Sequence, residues 1–235
     1  MTSLEPDSAS ARQSDVSPLT FRCTGCGNCC RSLRVAVTCF DVARLARSTA
    51  ALPRELVAWL APESVDMTGE PESFVELSEG RRLLVLAQQR GACRLLGADN
   101  RCGVYAARPR DCRAFPFDFA PLGSATPAAA SASTPEKRRL GLLPLSDCDY
   151  ASDGQNDVAQ LAAEDRARWD ELERYQALVA RWNREAWHRR RLHKRLGDAQ
   201  QFLDFALAAR ELAAAPGEND ASRTVNNDVS PTPRD

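Results

Sequence analysis

Four cysteines fall within eight residues, Cys23-Thr24-Gly25-Cys26-Gly27-Asn28-Cys29-Cys30. Packing does not call for such a density, because a structural free Cys serves singly as a small buried hydrophobe. Gly25 and Gly27 permit positive φ, so the backbone can wrap a small ion and aim N–H groups at sulfur. The chain has nine Cys in 235 residues. Its first residues, Met1 to Ser17, carry neither the basic start nor the apolar run of a secretory signal, so the expected location is the cytoplasm. Reducing conditions there disfavour lasting disulfides, which leaves metal or redox chemistry as the use of the thiols. Only two His are present, His188 and His193. They stand five positions apart and do not share a helix face. A metal site must then be built from thiolate, a donor that suits zinc or an iron–sulfur centre.

Adding Cys93, Cys102, Cys112 and Cys148 gives eight thiols, enough for two four-ligand sites or for one cluster with thiols to spare. Cys39 stands at the head of a helix and reads as an ordinary buried thiol. Cys29 and Cys30 are adjacent, and neighbouring side chains are expected to point apart, so that both rarely serve one ion. The first three Cys have the C-x2-C-x2-C spacing that opens bacterial ferredoxin clusters, but the fourth follows at once instead of after three residues and a Pro. A zinc ribbon needs two C-x2-C knuckles, whereas Cys93, Cys102 and Cys112 are nine and ten residues apart.

Taken together, Cys23-x2-Cys26-x2-Cys29-Cys30, Cys93, Cys102-Gly103-Val104-Tyr105 with Arg108-Pro109, and Cys112-Arg113-x-Phe115-Pro116 resemble the YkgJ-type cysteine-cluster proteins, a zinc- or iron-chelating domain. The resemblance spans roughly residues 21 to 150. It implies metal binding by Cys23, Cys26, Cys29, Cys30, Cys93, Cys102 and Cys112, with Cys148 as an eighth ligand beyond an Ala-rich insertion. A similar cluster in flagellin lysine methylases is tied to an iron–sulfur centre, which tips the expectation slightly toward iron. Tyr105, Arg108, Pro109, Phe115 and Pro116 match the motif as well. They read as a shell that locks the cysteine loops, with Arg108 or Arg113 offsetting thiolate charge.

The expected fold class is α+β: a loop-rich cysteine domain over residues 20–150, a helical extension over 155–214 forming a hairpin, and disordered tails at 1–19 and 215–235. Leu33 to Val37 reads as a short strand. Thr38 with Asp41 forms a capping box that starts a helix from Cys39 to Ala50. Pro53 opens a second helix to Leu60. Ser73 to Leu77 and Leu83 to Ala87 form a hairpin about Ser78-Glu79-Gly80. Cys93, Cys102 and Cys112 fall in loops with one short helical turn, and 120–137 is a low-complexity insertion. Apolar residues at helical spacing from Asp157 to Leu196 give one long or kinked helix, and Gln200 to Ala214 gives a final one.

Lys and Arg number 31 against 32 Asp and Glu, a net charge of −1, which excludes a purely electrostatic nucleic-acid wrapper. The richest apolar runs, such as Leu83 to Ala87, fall far short of the roughly 20 residues of a membrane span. No nucleophile elbow, phosphate loop or dinucleotide glycine fingerprint occurs. The four Trp fall in helical patterns and read as packing residues. The basic segment 181–195 reads as a solvated helix face, with binding of an acidic protein partner or RNA as the alternative. Two further readings stay open: a cluster-dependent redox or methyl-transfer accessory enzyme, and a zinc-stabilised interaction module.

Overall fold

The computed structural model describes residues 20–65, 71–121, 138–142 and 148–209. The expected tails at 1–19 and 215–235, most of the insertion and the last residues of the expected final helix lie outside them.

The fold is α+β, as expected. Helix α1 (Asn28–Ser32) is a short turn in the cysteine motif. Helix α2 (Cys39–Thr49) begins at Thr38, whose hydroxyl accepts from the Asp41 N–H while the Asp41 carboxylate accepts from the Thr38 N–H. That reciprocal cap satisfies two backbone donors that the first turn leaves unpaired. Val42 and Leu45 on the inner face are fully buried.

Pro53 does open a helix, α3 (Pro53–Leu56), but it stops after one turn. The expected continuation to Leu60 is instead strand β1 (Val57–Leu60), which places Trp59 on a strand rather than a helix. Here long-range pairing overrides local propensity, because β1 lies antiparallel to the apolar half of β3, with Val57 opposite Leu86 and Leu60 opposite Leu83.

The expected hairpin is present as β2 (Val75–Leu77) and β3 (Gly80–Leu86), in register from Val75 opposite Arg82 to Leu77 opposite Gly80. Gly80 has φ +98°, a conformation that favours glycine in so tight a turn. The sheet order is β1-β3-β2. The segment expected as a strand at Leu33 to Val37 joins β3 through a bridge of Ala36 with Val85. Leu83 to Leu86 are all buried, and they divide by period two. Leu84 and Leu86 join the main core, while Leu83 and Val85 pack with Phe74 on the other face.

A two-residue ladder, β4 (Gln88–Gln89) with β5 (Ala92–Cys93), leads into the second cysteine segment. Helix α4 (Arg110–Ala114) carries Cys112. Strands β6 (Phe117–Pro121) and β7 (Arg138–Leu142) then pair on either side of the insertion, a hairpin the low-complexity composition conceals.

Helix α5 (Val158–Arg191) is a single helix of 34 residues, capped by the Asp157 carboxylate. It ends five residues before the expected Leu196. Helix α6 (Ala199–Leu207) turns back, and Phe202 meets Trp59, Tyr175 and Trp182 edge to face. The intervening Gly197 is required by close approach, since a Cβ there would come within 2.5 Å of the Trp182 ring. Tyr175, Leu178, Val179, Phe202, Leu203 and Ala206 thus complete the same core that α2 and the sheet begin.

Candidate metal centre

The loop before α1 turns through left-handed backbone at Gly25 (φ +76°) and Gly27 (φ +72°). A Cβ on Gly27 would meet the Asn100 carbonyl at 2.9 Å, so this glycine lets the 96–101 loop lie against the first motif. Arg31 fastens the contact by donating to the Cys26 carbonyl (3.3 Å) and to the Asn100 side chain. A bridge of Leu96 with Cys102, together with the Gly103 N–H to Leu95 carbonyl bond (2.9 Å), folds the second segment so that Cys102 returns toward Cys93. The Leu95 N–H donates to Cys93 Sγ at 3.4 Å, the kind of backbone contact that favours a charged sulfur.

All nine Cys are free. The thiols of Cys29 and Cys30, both on α1, hydrogen-bond to each other, contrary to the expectation that neighbours point apart. Hydrogen bonding from Cys30, helped by the Arg108 charge, lowers Cys29 to about 6. The same contact, with burial and the nearby Cys93 and Cys102, raises Cys30. Burial raises Cys93, whose electrostatic neighbours include Cys102 and Cys29. Burial, then the Asp111 charge and Cys93, raises Cys112. Cys148 is pushed up to about 11 by burial and by contact with Cys26, with Cys23 and Cys29 also near. Each of the eight expected thiols is therefore within electrostatic reach of at least one other, with hydrogen bonding between Cys29 and Cys30 and between Cys26 and Cys148. Among the described residues, no group of three or more Cys, His, Asp or Glu is gathered tightly enough to hold an ion as it stands.

Cys39 is apart from this set. It is fully buried in the core, and burial together with the Asp41 charge pushes its thiol up to about 12. Arg108 lies 3.7 Å over the Tyr105 ring; its charge helps lower Cys29 and opposes only part of the rise that burial imposes on Cys112. Tyr105 itself is 52% exposed, so it covers the site only from outside. Arg113 donates to the Arg108 carbonyl (3.0 Å) and the Ala106 carbonyl (2.6 Å), which makes it a brace for this turn.

What fixes Cys112 is a buried ion network that sequence patterning did not anticipate. Arg44 of α2, 8% exposed, forms a bidentate pair with Glu171 of α5 at 2.7 and 2.8 Å and also pairs with Asp41. Arg110 reaches the same Glu171 (3.1 Å) and Glu164 (2.8 Å), and its N–H donates to Asp41 (3.0 Å). Arg168 joins Asp111 (3.4 Å) to Asp165 (3.0 Å). Helix α4 is thereby tied to both α2 and α5. The sequence reading takes Asp41 only as a capping residue and does not single out Glu171.

The basic segment 181–195 is largely engaged within the chain. Arg189 pairs with Glu185, Arg190 with Glu76 at 2.8 Å, and Arg181 and Arg191 lie over Phe205 and Trp187. Among the described residues, no helix is long and apolar enough to cross a membrane.

Unbridged thiols brought near one another on short helices and loops are the arrangement of a cysteine-rich chelating domain. Residues 22–137 match the model of the CxxCxxCC family, described as "Putative zinc- or iron-chelating domain". Seven of the eight expected ligands fall inside the match, and Cys148 lies beyond it. No curated protein and no solved structure matches the chain.

Proposed function

We propose that the protein holds a thiophilic metal, iron in an iron–sulfur cluster or else zinc, through Cys23, Cys26, Cys29, Cys30, Cys93, Cys102, Cys112 and Cys148. The observation that carries this reading is that all nine Cys are free and that the eight thiols from Cys23 to Cys148 lie within electrostatic reach of one another rather than being spent on disulfides. Thiolate is a ligand for iron–sulfur clusters and for structural zinc, and it excludes hard cations such as magnesium and calcium. Since the thiols are near one another without enclosing an ion, loading involves their closing around it. A cluster would supply electron transfer, and zinc a structural crosslink.

The chain's own groups prepare the site. The Cys30 thiol donates to the Cys29 sulfur, the Leu95 N–H donates to Cys93, and Arg108 offsets the negative charge that thiolates bring together. Eight free thiols suit a reducing compartment such as the cytoplasm.

Purification without oxygen, followed by iron, zinc and acid-labile sulfide analysis with an absorption spectrum, tests this reading. Iron with matching sulfide and visible absorption identifies a cluster, and colourless protein with bound zinc identifies a zinc site. Protein that binds neither would end the proposal.

A further inference from the structure

We propose that the outward face at the end of α5 binds single-stranded nucleic acid, with Trp187 as the platform on which a base stacks and the neighbouring Arg and Lys as the phosphate contacts. The inference is independent of the metal-holding reading above.

The end of α5 is fastened to the body along one side. The Trp182 indole N–H donates to the Glu76 carbonyl (2.8 Å), and the Asn183 amide accepts from the Glu76 N–H (2.8 Å) while donating to the Phe74 carbonyl (2.9 Å). Ala186 is buried, and Arg190 pairs with Glu76 at 2.8 Å. At 3.6 residues per turn, Arg184, Trp187, His188 and Arg191 then fall on the opposite side, in one stripe about 10 Å long. All four are exposed. The chain beyond the helix is held as firmly. The Lys194 N–H donates to the Arg189 carbonyl (2.9 Å) and the His193 N–H to the Arg190 carbonyl (3.1 Å), a paired closure with His193 in the left-handed conformation (φ +51°) where glycine is usual. That closure sets Lys194 and Arg195 at the end of the stripe.

Trp187 is 52% exposed, with Arg191 4.8 Å over its ring and His188 meeting it edge-on at 5.0 Å. A guanidinium covers one face of a ring, and the open half of the residue suits a planar, unpaired base. Arg189 and Arg190 are paired with Glu185 and Glu76, whereas Arg184, Lys194 and Arg195 have no acidic partner among the described residues. Glu185 is the one acid between residues 181 and 195, so cations outnumber it on a chain whose net charge is −1. A single strand fits this surface better than other polyanions do. An acidic peptide would use the cations and leave the indole without a role, and a convex helix face gives it neither a groove nor a strand edge. In a duplex the bases are stacked on one another and do not reach a protein ring. An anionic membrane would meet only Trp187 and Leu192 as apolar residues, a smaller face than interfacial helices present.

The test uses the full chain purified without oxygen and follows the fluorescence anisotropy of short labelled oligouridylate and oligodeoxythymidylate. With Arg184, Arg191, Lys194 and Arg195 on phosphate, affinity should fall about fiftyfold between roughly 50 and 200 mM salt. Trp187→Ala should weaken binding about 5- to 100-fold at fixed salt while keeping the salt dependence, and Trp187→Phe should restore most of it. The Trp187→Phe arm separates loss of the ring from loss of the fold. Lys194→Gln combined with Arg195→Gln should flatten the salt dependence by roughly half. A preference between the two strands identifies RNA or DNA as the source and supports the inference in either direction. Absence of binding to both strands, a Trp187→Ala chain that binds as the native chain does, or equal affinity for a duplex, for polyglutamate or for phosphatidylglycerol vesicles would each overturn it.

Discussion

The body of the molecule and its cysteine lobe are assembled on different principles. In the body, α2, the β1-β3-β2 sheet, α5 and α6 bury Leu45, Leu84, Leu178 and Phe202 completely, so order follows from removing apolar surface from water. In the lobe, α1 and α4 bury no residue, and the chain is shaped by left-handed glycines, single backbone bridges and arginine contacts. One region is ordered by its own packing, and on the proposed reading the other gains its order from the metal it binds. The Arg44–Glu171–Arg110 network joins them, placing α4, which carries Cys112, against the body.

This contrast is open to attack on both sides. Phe202→Ala should cost about 3–5 kcal/mol in denaturant unfolding, with metal or without, because a fully buried ring shared by three other aromatics is lost. A comparable loss only in the metal-loaded protein would contradict an independent body. Glu171→Ala should cost about 3–5 kcal/mol by leaving Arg44 buried beside a missing partner. It should also lower metal content, since Arg110 and α4 lose an anchor. Unchanged metal per chain would mean that the junction does not transmit between the regions.

A matched pair of thiol variants sharpens the division. Cys39→Ser puts a hydroxyl into the core and should cost about 1–3 kcal/mol while leaving bound metal unchanged. Cys26→Ser should do the reverse, reducing metal per chain with little effect on unfolding of the metal-free protein. The smallest effect on the body is expected from the metal itself. After chelation, hydrogen exchange should quicken at residues 22–33 and 93–103 and stay slow at Val42, Leu45 and Leu84. Equal loss at the core amides would make the two regions a single cooperative unit.

Features governed by near neighbours were legible in the sequence. The Thr38–Asp41 cap, the β2–β3 hairpin, the start of α5 near Asp157 and the thiol motif all depend on residues within a few positions of each other. The strand at Val57–Leu60 was not, since its helix-like start at Pro53 is local while its partner at Leu83–Leu86 is not. The ion network joins Arg44 to Glu171 across 127 residues and leaves no periodic trace. The same holds for the bonds of Arg22 with Asp153 and of Asn156 with the Phe21 carbonyl, which span more than a hundred positions. The sequence pointed to Cys148 by number and could not show which thiols it would meet.

The backbone bridge of Arg22 with Ala151, beside the contact of Cys148 with Cys26, has a consequence for biosynthesis. Thr24 leaves the ribosome 125 residues ahead of the Asp149 carbonyl it will bind, and all of α5 comes later still. At roughly 5–20 residues per second, the first four thiols wait on the order of ten seconds before the segment that covers them is made. During that interval they are exposed on a nascent chain without a finished core. Delivery of metal or protection from oxidation is therefore a matter of timing during translation as well as of affinity afterwards.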